Sequence, residues 1–190
     1  MATIILAGGL SIRMGRDKAS LVIGDSTLIN VLASRFYNVL GPVIVVARRN
    51  QNLESEFATI INDVFKEKGP LGGLHAGLLA SPDQCNFVTA CDMPFANPMT
   101  AHYLFSQLNG HDAVVPLVNQ RPEPLNAVYS RSCLTQIEAN LQSDSLRLRE
   151  LLDEIDTLYI NEDDLRSIDA DLRSFVNINT PEEYARLSQT

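Results

Sequence analysis

The sequence predicts an α/β protein built on a mostly parallel sheet, and three features of the chain carry that prediction. Strand-like and helix-like patterns alternate along most of its length. The strand-like runs, Val43-Ile44-Val45-Val46-Ala47 being the plainest, are continuously apolar rather than alternating, as expected of strands covered on both faces. The first run ends abruptly in the pair Gly8-Gly9, followed at once by a polar loop carrying Arg13 and Lys18. That arrangement reads as an anion-binding loop at the end of a buried strand.

Each element follows from local chemistry. The first strand occupies the apolar run that closes at Leu6-Ala7. Leu28, Val31, Leu32, Phe36, Val39 and Leu40 then recur at helical spacing, with Ser26 or Thr27 placed to cap the start and Gly41-Pro42 to end the helix. Strand 43–47 comes next, and the same grammar predicts a buried strand over 58–62, a glycine-rich helix over 71–80 and another buried strand over 86–91. A helix is expected over 99–108 and a strand over 113–115. Pro122-Glu123-Pro124 interrupts the pattern before the run 125–129, after which 133–141 and 146–152 look helical and 157–160 returns to strand. A last strand is expected over 175–179, followed by Thr180-Pro181-Glu182-Glu183, a helix start with Thr180 as cap, Pro181 at the first helical position and Glu183 completing a capping box. With no internal repeat, low-complexity tract or linker, residues 1–190 are expected to form one domain.

A formal charge of −8 argues against nucleic-acid and anionic-membrane surfaces. No stretch approaches the length of a membrane span, and the amino terminus enters a strand without room for a signal peptide, so a cytoplasmic protein is expected. The three cysteines, Cys85, Cys91 and Cys133, form no C-x-x-C pair and fit reduced, packed thiols. His75, His102 and His111 lack metal-ligand spacing.

Without Cβ atoms, Gly8 and Gly9 let the backbone approach a ligand, while Arg13 and Lys18 neutralise phosphate charge. The spacing matches neither a P-loop nor a G-x-G-x-x-G fingerprint. Ligands of parallel sheets bind outside the carboxyl ends of the strands, which selects Asp92, directly after strand 86–91, as a hard oxygen ligand for Mg²⁺. Asp63 ends strand 58–62 in the same way, either facing the nucleotide or capping a turn. Glycines 69, 73 and 77 share a helical face that admits close approach by a ligand or by the sheet. Asn177 and Asn179, two apart on a strand, would lie on one side of the site edge, unless they serve only the turn into the next helix.

The segment from Leu6 to Lys18, L-A-G-G-x-S-x-R-M-G-x-D-K, resembles the nucleotide loop of the molybdenum cofactor guanylyltransferases. Gly69-Pro70-Leu71-Gly72-Gly73-Leu74-His75-Ala76-Gly77-Leu78, Cys91-Asp92-Met93-Pro94-Phe95 and Asn177-Ile178-Asn179-Thr180-Pro181 are similar to further segments of that family in the same order. The resemblance implies a Rossmann-like nucleotidyltransferase fold of three α/β/α layers, using Mg²⁺ and GTP, with molybdopterin in its molybdenum-bound form as acceptor. It places GTP contacts at Leu6, Ala7, Gly8, Lys18 and Asp63, with Asp92 touching both GTP and the metal, beside the Gly9 backbone that the loop already offers. A further contact after the second strand falls near Arg48, where the family pattern favours asparagine. Residues 121–126 resemble the loop that admits the second substrate. Arg147 and Arg149 serve either its phosphate or an ordinary solvated helix face. Catalysis would rest on Lys18, Arg13 and Asp92. Transient contact with cofactor-biosynthesis proteins and with the molybdoenzymes that accept the product is also implied. The alternatives are a cytidylyltransferase or sugar-phosphate nucleotidyltransferase of the same fold, or a nucleotide-binding partner protein without turnover. Gly8-Gly9 and Asp17-Lys18 favour GTP, since cytidylyl relatives usually show Ala-Gly and lack the aspartate.

Overall fold

A computed structural model describes residues 1–7, 19, 21–23, 25–49, 51–65, 67–178, 180 and 183. Strand β1 (Ala2–Leu6) is wholly buried and sits inside the sheet. A short antiparallel pair, β2 (Val22–Ile23) and β3 (Ser26–Thr27), leads into α1 (Leu28–Leu40). Of the two expected caps Thr27 is the one used, its hydroxyl accepting from the Asn30 N–H at 3.3 Å. Gly41 stops the helix at φ +97°, a backbone region that disfavours side chains.

The chain continues through β4 (Val43–Ala47), β5 (Thr59–Asn62), α2 (Gly69–Ala80), β6 (Cys85–Ala90), α3 (Pro98–Ser106) and β7 (Ala113–Val118). It then runs through β8 (Arg121–Pro122), β9 (Asn126–Ser130), α4 (Leu134–Ser143), α5 (Leu148–Glu154), β10 (Thr157–Asn161) and the short α6 (Glu162–Leu165). Among the described residues the main sheet is ordered β10-β7-β9-β6-β1-β4-β5, with β8 paired to β7. The pairs β1–β4, β1–β6, β4–β5 and β7–β10 are parallel, whereas β9 runs antiparallel to both β6 and β7. The mostly parallel sheet is as expected.

Alternate residues of the central strands face opposite layers. Ile5, Val45 and Phe87 join a core with Leu32, Phe36 and Leu104 from α1 and α3. Ile4, Ile44 and Val88 join a second core with Leu71, Leu74, Ile137 and Leu151 from α2, α4 and α5. Helices therefore cover both faces, which is why the strand sequences are apolar throughout. The family-implied three-layer architecture is present.

Two strand expectations are corrected. The run 58–62 is not buried: β5 is the outer strand beside β4, and its residues are half-buried or exposed. The run 175–179 does not form a strand where described. Arg173–Phe175 is a single 3-10 turn, with Asp169 accepting from the Arg173 and Ser174 N–H groups at 3.0 and 2.8 Å. The capping box is present: the Glu183 N–H donates to the Thr180 hydroxyl at 3.2 Å and the Thr180 N–H to the Glu183 carboxylate at 3.1 Å.

Candidate active site

Strand order reverses at β1. The chain steps outward through β4 and β5, then returns to place β6 on the other side of β1. A crevice at the carboxyl ends of β1, β4 and β6 follows from that reversal. Backbone hydrogen bonds continue past the strand ends and fix the edge. The Ala7 N–H donates to Val46 O at 2.9 Å, Cys91 N–H to Leu6 O at 3.0 Å and Asp63 N–H to Ala47 O at 3.0 Å. Leu6, Ala7, Arg48, Asp63 and Asp92 consequently lie on one edge of the sheet, as the sequence predicts.

Asp92, half-buried, occupies the turn just beyond β6. Its carbonyl accepts from the Ile178 N–H at 2.8 Å, so the carboxy-terminal segment is fastened directly to this turn. Asn177 is thereby brought beside the Asp92 turn by that neighbouring bond rather than by a strand, and it is exposed. Asn179 lies outside the described residues, as do Gly8, Gly9, Arg13 and Lys18 of the nucleotide loop. The expectation that Asn177 and Asn179 share a strand face is not met. Phe175 and Ile178 are buried, and residues 176–178 pair with no strand among the described residues.

Asp63 shows the turn chemistry that its type favours, with Oδ1 accepting from the Phe65 N–H at 2.9 Å. Burial pushes its carboxyl above the usual range, and the Phe65 bond together with the charges of His75 and Arg49 pulls it partly back. Gly72 makes room for it, since a Cβ there would lie 3.1 Å from Asp63 Oδ2. The other α2 glycines answer to the sheet: a Cβ on Gly73 would press on Leu6, and one on Gly77 would collide with Ile4 Cγ2. Close helix-to-sheet packing thus explains Gly73 and Gly77.

Two positioning groups escaped the sequence reading. The Gln51 amide donates to Ala7 O at 3.0 Å and its oxygen accepts from the Arg48 N–H at 2.7 Å, tying the loop after β4 to the end of β1. Arg35 of α1 donates to Pro94 O at 2.7 Å and Ala96 O at 3.1 Å, holding the loop that follows Asp92. A cation set between the buried Leu32 and Phe36 is the signal that could have revealed Arg35. No comparable signal marks Gln51.

A strand-order reversal whose edge carries a carboxylate at a neighbouring strand end is the architecture of a nucleotide-handling α/β enzyme. Residues 3–158 match the family model described as a MobA-like NTP transferase domain. The chain is 36% identical to a probable molybdenum cofactor guanylyltransferase of Peptoclostridium acidaminophilum, covering 99% of this chain and 88% of the relative. It superposes with TM-score 0.83 and 28% identity on molybdopterin-guanine dinucleotide biosynthesis protein A from Archaeoglobus fulgidus, over 100% of this chain and 97% of that one. The 2-C-methyl-D-erythritol 4-phosphate cytidylyltransferase of Thermus thermophilus superposes with TM-score 0.72 at 14% identity, covering 99% and 97% of the two chains, a likeness of fold alone. The chain belongs to the MobA-like NTP transferase family, among the molybdenum cofactor guanylyltransferases, and is a nucleotidyltransferase.

Proposed function

We propose that the chain transfers the guanylyl group of GTP to the terminal phosphate of molybdopterin. A phosphate oxygen of the acceptor bonds to the α-phosphorus of GTP, the bond from that phosphorus to the bridging oxygen breaks, and pyrophosphate leaves. The observation that carries the reading is the Asp92 carboxylate at the switch-point edge, on a turn fixed from both sides by Cys91 N–H to Leu6 O and by Ile178 N–H to Asp92 O in a chain of this family.

A phosphate nucleophile is already anionic near neutral pH and requires no general base, in keeping with an edge whose functional residues include no histidine. The task left to the protein is to align two anions and to neutralise charge on the leaving oxygens. Lys18 and Arg13 would hold the triphosphate, the Gly8-Gly9 backbone would lie along it, and Leu6, Ala7, Arg48 and Asp63 would border the nucleoside. Asp92 offers the hard oxygen that Mg²⁺ takes when phosphates supply further ligands, so the donor chemistry fits that ion. Bound there, Mg²⁺ would supply charge neutralisation at the phosphates. Asn177 and Asn179 would contact the acceptor from the carboxy-terminal segment, and residues 121–126 would border it from the other side.

The test is formation of the dinucleotide and pyrophosphate from purified protein, Mg²⁺, molybdopterin and each nucleoside triphosphate in turn. Product is expected with GTP. Equal rates with CTP, or nucleotide binding without pyrophosphate release, would replace the reading with one of its alternatives.

A further inference from the structure

The Pro122-Glu123-Pro124 turn presents a carboxylate whose backbone is held at every point available to it. Strands β7 and β8 form a hairpin through Asn119 and Gln120, both in the left-handed region at φ +50° and +60°, the geometry that matches the twist of paired strands. The Glu123 N–H then donates to Pro116 O at 2.9 Å, and its carbonyl accepts from the Asn126 N–H at 3.1 Å. Buried Tyr129 donates its hydroxyl to Pro124 O at 2.9 Å. Prolines on either side fix their own φ angles. The turn is therefore rigid before any ligand arrives.

The side chain placed so carefully has no hydrogen-bond or ion-pair partner among the described residues. It is half-buried, and burial raises its carboxyl above the usual range while the charge of Arg149 pulls it back. Arg149 stands in the first turn of α5, exposed, within electrostatic reach of Glu123 without a direct ion pair. A carboxylate held half out of water and left unpaired is costly unless something else takes its lone pairs. Strand β7 runs parallel to β6, so this turn lies at the same carboxyl edge as Asp92, on the side of β6 away from β1, β4 and β5.

We propose that Glu123 and Arg149 together read the 2-amino-4-oxopyrimidine edge of the acceptor's pterin ring. That edge presents the 2-amino N–H, the N3–H and the 4-oxo oxygen in a row, donor, donor, acceptor. The two Glu123 oxygens take the donors and the Arg149 guanidinium donates to the oxo group. Guanine carries the same edge, but Asp63, at the end of β5, lies in the opposite half of the sheet, which assigns the pair to the acceptor. The inference rests on the proposed guanylyl transfer and adds the residues that select its acceptor.

Lumazine-6-carboxylate differs from pterin-6-carboxylate in carrying an oxo group where the pterin has its 2-amino group. Binding of both probes to the full chain is measured with GTP and Mg²⁺ present, for the wild type and Glu123→Gln. The wild type is expected to prefer the pterin by about 10- to 100-fold, and Glu123→Gln, whose amide can donate to the lumazine 2-oxo group, to abolish or reverse that preference with GTP affinity unchanged. An unaltered preference in Glu123→Gln, or no binding of either probe to the wild type, would overturn the assignment. Glu123→Gln erasing a preference for GTP over ITP would show that the carboxylate reads guanine instead. If Glu123→Gln is unstable, Arg149→Gln serves on an exposed helix turn: it should weaken both probes equally and leave their ratio intact, and unchanged binding of both would overturn the assignment. Failure of the wild type to turn over GTP and molybdopterin would sink the transfer reading itself, whereas normal turnover with an unaltered probe ratio sinks only this one.

Discussion

The two halves of the sheet are built by different rules. On one side of the Asp92 turn, β1, β4 and β5 are parallel, with α1 crossing from β1 to β4 and α2 crossing back from β5 to β6. On the other, β9 is inserted antiparallel between β6 and β7, and the β7–β8 hairpin brings a rigid proline turn to the edge. The first half offers strand ends and a loop suited to a common nucleotide. The second offers a hairpin and a carboxylate that can be changed without disturbing the first. The cytidylyltransferase of Thermus thermophilus, alike in fold at 14% identity, shows how far sequences diverge while this sheet plan is kept.

The sharpest break in the comparison lies at the seam. Asp92→Ala is expected to lower kcat by roughly 10²–10³ with an unchanged melting temperature, measured as pyrophosphate release at saturating substrates; near-normal turnover at limiting Mg²⁺ would make Asp92 a turn residue only. Gly77→Ala attacks the donor half through packing alone. Its methyl group meets Ile4 in the core of β1, so a loss of about 1–3 kcal/mol, about 2–12 °C in Tm, is expected by thermal unfolding. Arg35→Met should cost about 1.5 kcal/mol in stability and lower kcat more than GTP affinity, since it frees the loop after Asp92 without touching the nucleotide side.

Asp63→Asn is the smallest and depends on pH. Burial raises the Asp63 carboxyl above its unfolded value, so ionising it costs more in the folded state than in the unfolded chain. That cost is absent below the unfolded pKa, grows as pH rises toward the folded pKa and is complete above it. The asparagine variant retains the acceptor for Phe65 and is expected to melt slightly higher than the wild type near neutral pH. The gain should vanish as pH falls into the ordinary carboxylate range, and a gain that persists in acid would show that the buried charge is not its cause. GTP affinity should fall in the same variant if Asp63 borders the nucleoside.

The same division governs how much the sequence discloses. Continuous apolar runs marked β1, β4 and β6, and Thr27, Gly41 and Thr180 marked helix ends, because burial on both faces and capping leave local signatures. Asp92 was legible because it follows a strand directly. Position in the sheet is not local: β5 reads like a buried strand but stands at the outer edge, and Phe175-Val176-Asn177-Ile178 has strand composition yet joins no strand among the described residues. The antiparallel insertion of β9 depends on the short return through Pro122-Glu123-Pro124, and nothing in residues 126–130 announces their direction. Arg35 and Gln51 act on backbone carbonyls distant in sequence, a relation that only the folded chain displays.

The bond from Ile178 N–H to Asp92 O joins the Asp92 turn to a segment synthesised long after it. During synthesis the sheet can assemble through β10 while the Asp92 turn still lacks that fastening. The edge formed by β1, β4 and β5 can therefore be complete before the turn that carries Asp92 is fastened from its far side.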